Sequence, residues 1–169
     1  MQLLAKEFIY INLTVDGIDR SKLELKDDPS RTGVYEMEFN LVNLSSDTLN
    51  YKLSVVGMTE SVSTSDPTYV SEFSQILGGN TKVEVISGGS IDGYNVTVNP
   101  NDTLKLKVTY TLSNEDKSLI DSLFPYGMYV EGFAKLEDLN NAEESINLNI
   151  PFLAYYGDWS QATIFDKTY

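Results

Sequence analysis

The segment PFLAYYGDW, residues 151–159, decides how we expect the chain to fold. It contains the only tryptophan of the sequence, Trp159, and follows a run of alternating apolar residues, 146–150. Pro151 closes that strand-like run, and Gly157 stands where the aromatic segment must turn. Single aromatic residues lie in cores more often than in ligand sites. We therefore expect Tyr156 and Trp159 to cover one open end of a hydrophobic core, with the indole N–H bonded to a carbonyl or carboxylate, rather than to stack on a ligand.

The composition of the chain excludes several kinds of function. Its 169 residues suit one domain with a core that needs no cross-links. The absence of cysteine and histidine removes disulfides, thiolate metal sites and imidazole catalysis. The net charge of −13 disfavours a nucleic-acid partner. We expect no membrane insertion, because no apolar run approaches the roughly 18 residues of a membrane helix. Since no leader segment is visible, we expect a protein that stays inside the cell or a piece of a longer one.

Apolar and polar residues alternate over most of the chain, which is typical of strands with one buried face. The clearest runs are 34–44, 49–55 and 104–112. Turn-forming residues at 43–47 separate the first two runs, which predicts that they pair as a hairpin. Further strands are predicted at 3–15, 23–25, 69–77, 82–86, 94–98, 126–136 and 145–150. Residues 58–90 are the least regular part, and we interpret them as an excursion with an added ribbon.

One short helix is predicted after the strand that ends at residue 112. Ser113 lies three residues before Asp116, which is a capping-box pattern, and apolar residues recur at helical spacing over 119–124. Pro125 ends this helix. In the next strand, Gly132 predicts a bulge or a close approach of backbones. The pattern as a whole predicts a single all-β sandwich domain over 1–169, although a closed barrel fits it too.

Two motifs could carry chemistry, and we interpret both as structural. The segment GGSID, 88–92, resembles a nucleophile elbow, but Asp92 occupies the place of the closing glycine and the chain has no histidine. Four aspartates near the start could hold calcium, but their spacing matches no calcium loop, so a solvated acidic loop is favoured. They are Asp16, Asp19, Asp27 and Asp28. We therefore expect no catalytic residue, no metal and no cofactor.

A hydrolase that uses a pair of carboxylates is a further alternative. Acidic residues are so frequent, 25 in all, that the proximity of two of them is no argument for catalysis. A cleft with two carboxyl groups, one of them with a pKa raised by burial, would favour this alternative.

Two motifs near the C-terminal end together resemble a known family. The strand segment VEGF, 130–133, is followed about twenty residues later by IPFLAYYGDW, 150–159. This combination resembles the fibronectin type III-like domain of Gram-positive cell-envelope subtilisin-like serine proteases of the C5a peptidase and lactocepin type. The resemblance covers about residues 3–166, including 164–166. The positions that match the family motif are Gly132, Pro151, Tyr156, Gly157, Asp158 and Trp159.

The resemblance implies an immunoglobulin- or fibronectin III-like antiparallel β-sandwich without chemistry of its own. It would serve as a scaffold, spacer or interaction surface beside the catalytic domain of a secreted or cell-wall peptidase, with that domain as its partner in cis. The location implied is extracellular. Because the catalytic residues of such a peptidase belong to another domain, none is carried over to this chain.

The alternative function is a module that binds a cell-surface glycan or protein through exposed tyrosines. The sequence has eleven tyrosines, among them Tyr126, Tyr129, Tyr155, Tyr156 and Tyr169. A row of three or more coplanar exposed rings would favour a glycan, and scattered buried rings would favour the core. If Trp159 is a core lid, Trp159→Ala should cost roughly 3–5 kcal/mol of stability.

Overall fold

The computed structural model describes residues 9–12, 14–15, 18–63, 71–140 and 146–162. Several predicted features lie outside these residues, namely the strand residues 3–8, the motif residues 164–166, Asp16, Tyr69 and Tyr169. The described chain forms strands with one short helix.

The elements in chain order are β1 Ile9–Asn12, β2 Thr14–Val15, β3 Ile18–Asp19, β4 Leu23–Asp27, β5 Val34–Asn43, β6 Leu49–Ser63, β7 Ser71–Ile76, β8 Asn80–Ser87, β9 Ser90–Asp92, β10 Asn95–Val98, β11 Thr103–Thr111, α1 Asn114–Leu123, β12 Gly127–Asp138 and β13 Leu148–Gly157. A short 3-10 helix, Trp159–Gln161, follows β13. Among the described residues, no helix is both long enough and apolar enough to cross a membrane.

The strands form two separate sheets that face each other. Sheet one has the order β1-β5-β11-β8. Sheet two has the order β4-β13-β12-β6-β10-β9, and β7 also pairs with β6. The small pair β2-β3 stands by itself. All pairings are antiparallel except that of β4 with β13, which is parallel. The predicted all-β sandwich with one short helix is confirmed.

The core lies between the two sheets and is built by the alternation seen in the sequence. Along β11 and β12 every second side chain is buried. Fully buried side chains from both sheets meet there, including Met37, Leu41, Leu106, Leu53 and Val130. Each large apolar side chain removed from water stabilises the fold by about 1.5–3 kcal/mol.

The predicted hairpin of β5 with β6 is wrong, because the two strands belong to opposite sheets. Residues 44–48 instead cross from sheet one to sheet two as an arch. Residues 99–102 cross between β10 and β11 at the same end of the sandwich. The two arches are hydrogen bonded to each other, since the backbone N–H of Asn43 donates to Asp102 at 2.9 Å and that of Asn101 donates to Ser45 at 3.0 Å.

The side chain of Asn43 holds both arches in place. It is completely buried. Its amide nitrogen donates to the carbonyl oxygens of Asp47 at 2.8 Å and Asn99 at 3.0 Å. Its Oδ1 accepts from the backbone nitrogen of Ser45 at 2.9 Å and from its hydroxyl at 2.7 Å. The buried Asn43 side chain therefore pairs with backbone groups outside the strands, where the chain leaves one layer for the other.

The described residues within 58–90, namely 58–63 and 71–90, are more regular than predicted. β6 continues as far as Ser63, and β7 pairs with its second half as the added ribbon. β8 is the edge strand of sheet one beside β11. Gly88 and Gly89 have φ of 69° and 47°, and a Cβ on either would lie within 2.2 Å of a backbone oxygen. They connect β8 to β9, so the context is strand–turn–strand and not the strand-to-helix turn of a nucleophile elbow.

Helix α1 follows the predicted capping box. The hydroxyl of Ser113 accepts from the backbone nitrogen of Asp116 at 3.0 Å, and the Asp116 carboxylate accepts from that of Ser113 at 2.9 Å. Asp116 also accepts from the backbone nitrogen of Gly78 at 2.9 Å, which ties the helix to the loop after β7. Ile120 is the buried apolar residue of the helix.

Pro151 does not end a strand as predicted, because β13 continues through it to Gly157. On one side it lies opposite Phe133 of β12. On the other side, β4 pairs with β13 only from Phe152 onward. The proline therefore lies where β13 has a single partner strand, which is where a residue without a backbone N–H is tolerated.

Candidate functional site

The predicted core lid is half right. Tyr156 is buried, but Trp159 is 51% exposed, so the prediction that it plugs the core is wrong. Asp158 caps the 3-10 helix by accepting from Ser160 at 2.9 Å and from the side chain of Gln161 at 3.1 Å. This helix begins at Trp159, two residues after β13 ends at Gly157, so the chain turns before the indole reaches the space between the sheets.

The indole instead packs on two tyrosines of sheet two. The ring centroids of Trp159, Tyr129 and Tyr155 lie 5.2–5.4 Å apart. We call these three residues the aromatic cluster. Tyr155 is buried in it, while Tyr129 remains 38% exposed. The Trp159 ring is inclined by 42° to Tyr129 and by 86° to Tyr155, so the cluster is not a row of three coplanar exposed rings.

An open groove of about 380 Å³ lies beside the aromatic cluster. We call it the aromatic groove. One wall is the segment that follows helix α1, with Phe124 and the half-exposed Tyr126, and the other is Tyr129 with Trp159. Among its described lining residues, Glu60 of β6 is the one with a charge. A smaller hollow of about 250 Å³ on sheet two also touches Trp159 and is bordered by residues of β4.

Glu60 also belongs to a second, polar pocket of about 320 Å³. We call it the acidic pocket, because Glu72 and Glu131 line it together with Glu60. Ser74 and Phe73 of β7 complete it. Within the described part of the chain, the carboxylates of these three glutamates have no ion pair and no hydrogen bond. The aromatic groove and the acidic pocket thus share one carboxylate.

The outer face of sheet two carries apolar side chains next to these pockets. On β12, Phe133 is 38% exposed and lies opposite Val56 of β6 and Pro151 of β13. Leu153 is two residues further along β13 on the same face and is partly exposed. We call Val56, Phe133, Pro151 and Leu153 the outer apolar patch. An outer sheet face that contacts water alternates apolar-in and polar-out, so this patch is a candidate contact surface.

Arg31 fixes the helix end that forms one wall of the aromatic groove. Its guanidinium donates to Asp121 of α1 and, at 2.5 Å, to the carbonyl of Pro125. It also lies 5.7 Å from the centre of the Tyr156 ring. Sequence reasoning did not identify this residue, and no local pattern signals it, because its partners are about 90 residues or more away in the chain.

Gly132 and Gly157 allow the backbones around the site to approach closely. A Cβ on Gly132 would lie 2.0 Å from the carbonyl oxygen of Val56. Gly157 has φ of 138°, and a Cβ there would lie 2.8 Å from the carbonyl oxygen of Tyr126. The close approach predicted at Gly132 is therefore present.

Two of the four aspartates singled out in the sequence, Asp27 and Asp28, have structural partners. Asp27 accepts from the backbone nitrogen of Trp159 at 3.0 Å. Asp28 accepts from the backbone nitrogens of Thr32 at 3.0 Å and Gly33 at 2.7 Å. In residues 9–12, 14–15, 18–63, 71–140 and 146–162, no group of three or more acidic side chains is arranged to hold a metal ion.

Two carboxyl groups, one beside the aromatic cluster and one in the second arch, are held in their ionised form. Hydrogen bonds from Ser160 lower the pKa of Asp158. A backbone hydrogen bond from Thr103 lowers the pKa of Asp102 in the second arch. These shifts are opposite to the raised pKa that a general acid needs.

Comparison with known families decides where the chain belongs. The family model of the Fn3-like domain matches residues 23–153, from the start of β4 into β13. The chain is a member of the Fn3-like domain family. Comparison with curated protein sequences gives no match.

Several solved structures are similar to this Fn3-like domain. One is the human CEP192 PapD-like domain 7, at 10% identity and a TM-score of 0.47, over 87% of this chain and 83% of that one. Another is the E. coli chaperone DraB, at 8% identity and a TM-score of 0.44, over 88% of this chain and 54% of that one. A third is the CsuC–CsuE complex of Acinetobacter baumannii, at 12% identity and a TM-score of 0.40, over 95% of this chain and 62% of that one. The chain thus spans less than two thirds of the second and third of these relatives.

Proposed function

We propose that this Fn3-like domain is a non-catalytic accessory module of a secreted or cell-wall subtilisin-like serine peptidase of a Gram-positive bacterium. It acts as a scaffold or spacer and packs in cis against the catalytic domain, outside the cell. Membership of the Fn3-like family supports the assignment of the chain as a non-catalytic module. The resemblance of Gly132 and of residues 150–159 to the motif of such peptidases supports the assignment of the parent protein.

The outer apolar patch is the observation on which this proposal depends. Phe133 lies on a central strand of sheet two, β12, which at this position pairs with β13 on one side and with β6 on the other. An apolar surface centred on a strand that is held from both sides suits packing against a folded neighbouring domain. Packing against a domain would remove the exposed part of Phe133 from water, which is a favourable change.

The chemistry of the chain supports a role without catalysis. The sequence has no histidine and no cysteine, which leaves carboxylates, hydroxyls and amines as reactive groups. Hydroxyl nucleophiles need an adjacent base to become reactive. The lowered pKa of Asp158 makes that carboxylate a weak base.

The test begins with the gene. We expect the reading frame that encodes this chain to encode a subtilisin-like catalytic domain upstream, and a frame without one would refute the proposal.

The second test measures binding between the two domains. The catalytic domain is expressed separately and titrated with this chain. We expect Phe133→Lys to weaken binding by about tenfold or more, since a desolvated ammonium without a partner is costly. Tyr10→Lys, on an exposed residue of β1 in sheet one, is the matched control and should bind as the unmodified chain does.

A second candidate is the binding of a neutral cell-surface glycan on the aromatic cluster. The exposed indole of Trp159 beside Tyr129 favours it. Titration with neutral oligosaccharides should then change the emission of Trp159, the only tryptophan of the chain. A flat titration with oligosaccharides of several classes would remove this candidate.

A further inference from the structure

We propose that the aromatic groove and the acidic pocket together bind a basic peptide segment, in which arginine or lysine alternates with apolar residues. This binding activity goes beyond the proposed accessory role and does not require a parent peptidase. It uses the part of sheet two that adjoins the outer apolar patch, since Glu131 lies opposite Leu153.

The two pockets form one continuous surface. Glu60 lies directly opposite Ser74 of β7, and Glu72 lies two residues further along that strand on the same face. Met58, two residues before Glu60, lies opposite Glu131 of β12. Because side chains two residues apart share a face of the sheet, Glu60, Glu72 and Glu131 all point outward from the same region. Tyr129, two residues before Glu131, adjoins them on that face and lines the aromatic groove.

Aromatic rings beside carboxylates recognise cationic side chains. A guanidinium or ammonium over the face of tryptophan or tyrosine is attracted by the ring. The apolar stem of arginine or lysine packs on apolar surface while its charged head reaches a carboxylate. Tyr126, Tyr129 and Trp159 supply the rings, and Glu60 is placed where the groove meets the acidic pocket.

The charges of the site select among possible occupants. The three glutamates have no cationic partner among the described residues, so a basic ligand would supply the missing counter-charge. A second copy of this chain would bring its own net charge of −13 to the contact and be repelled. A neutral glycan would use the rings and leave the glutamates without a partner.

The experiment uses the full chain and a short synthetic peptide of alternating arginine and leucine. Binding is followed by the emission of Trp159 and by the anisotropy of a fluorescein on the peptide. The matched probe replaces each arginine by citrulline, which keeps the shape and removes the charge. We expect saturable binding of the arginine peptide that weakens with added salt, and about tenfold weaker binding of the citrulline peptide.

Two charge variants separate a local site from the overall charge. The test variant is Glu60→Gln with Glu131→Gln, and the control is Glu115→Gln with Glu137→Gln, which removes the same number of exposed charges elsewhere. We expect the test variant to weaken binding about fivefold or more and the control to change it less than about twofold. Trp159→Ala should weaken binding as well, and circular dichroism checks that each variant is folded.

Several results would overturn the proposal. One is an equal affinity for the arginine and citrulline peptides. Another is an equal loss of affinity for the arginine peptide in the two charge variants. A third is that Trp159→Ala has no effect on the anisotropy titration. Self-association of the chain in sedimentation, with the groove variants abolishing it, would assign the surface to a second copy instead. None of these results bears on the gene context or on Phe133→Lys, so the two proposals fail separately.

Discussion

Replacement of Asn43 by alanine should destabilise the whole sandwich. The side chain is buried without exposure to water and makes four hydrogen bonds of 2.7–3.0 Å to Ser45, Asp47 and Asn99. Alanine would remove all four bonds at the point where the two arches meet.

The size of the effect follows from these four bonds. Each contributes about 1 kcal/mol net, and a buried group left without a partner costs about 1–3 kcal/mol. The Ser45 hydroxyl also donates to the carbonyl of Asp47 at 3.1 Å. Both groups would keep this bond in Asn43→Ala, which offsets part of the lost stability. We therefore expect Asn43→Ala to lower the free energy of unfolding by about 3–4 kcal/mol. With a slope of about 2 kcal/mol per molar urea, the midpoint should fall by about 1.5–2 M.

Urea unfolding followed by circular dichroism measures this loss. Asn95→Ala is the matched control, because that asparagine is exposed on β10 and should tolerate the change within about 0.5 kcal/mol. Asn43→Asp keeps the size and the acceptor but places an oxygen against two carbonyl oxygens, so it should destabilise at neutral pH at least as much as alanine. A loss below about 1 kcal/mol for Asn43→Ala, or one equal to that of the control, would refute the role given to this side chain.

Three further outcomes are expected. Trp159→Ala should cost about 1–2 kcal/mol in urea unfolding, less than a buried tryptophan, because half of the indole already contacts water. Gly132→Ala should cost about 3 kcal/mol or more, since its methyl group would lie 2.0 Å from the Val56 oxygen, whereas Gly78→Ala, with its nearest atom at 3.9 Å, should change the midpoint little. Asp158 has a lowered pKa, so its contribution is present above about pH 4 and is lost as the pH falls through that lowered value. The emission of Trp159 should therefore stay constant down to about pH 4 and change below it, and Asp158→Asn should remove this transition.

The sequence predicted the layers of the fold better than their connections. Alternation correctly identified the buried faces of β5, β6 and β11, because a period of two depends only on which side of a strand faces the core. It could not assign β5 and β6 to different sheets. A short polar connection permits either a hairpin or an arch, and the difference depends on hydrogen bonds between Asn43 and residues more than fifty positions away.

The candidate site was predicted only in part. The motif 151–159 correctly drew attention to Tyr156 and Trp159, but aromatic content does not show on which side of a sheet a ring lies. The 3-10 helix capped by Asp158 decides this for the indole. Glu60 could not be connected with Tyr129 from the sequence, because they meet only through the pairing of β6 with β12.

The parallel pairing of β4 with β13 affects how the module resists stretching. Leu23 at the start of β4 lies beside Phe152, and Asp27 at its end lies beside Tyr155, with further backbone bonds of Asp28 to Tyr155 and Gly157. A pull applied before β4 and after β13 would slide these strands past each other along their length. The hydrogen bonds between them would then carry the load together and break together, so we expect this pair of strands to resist a pull along its length.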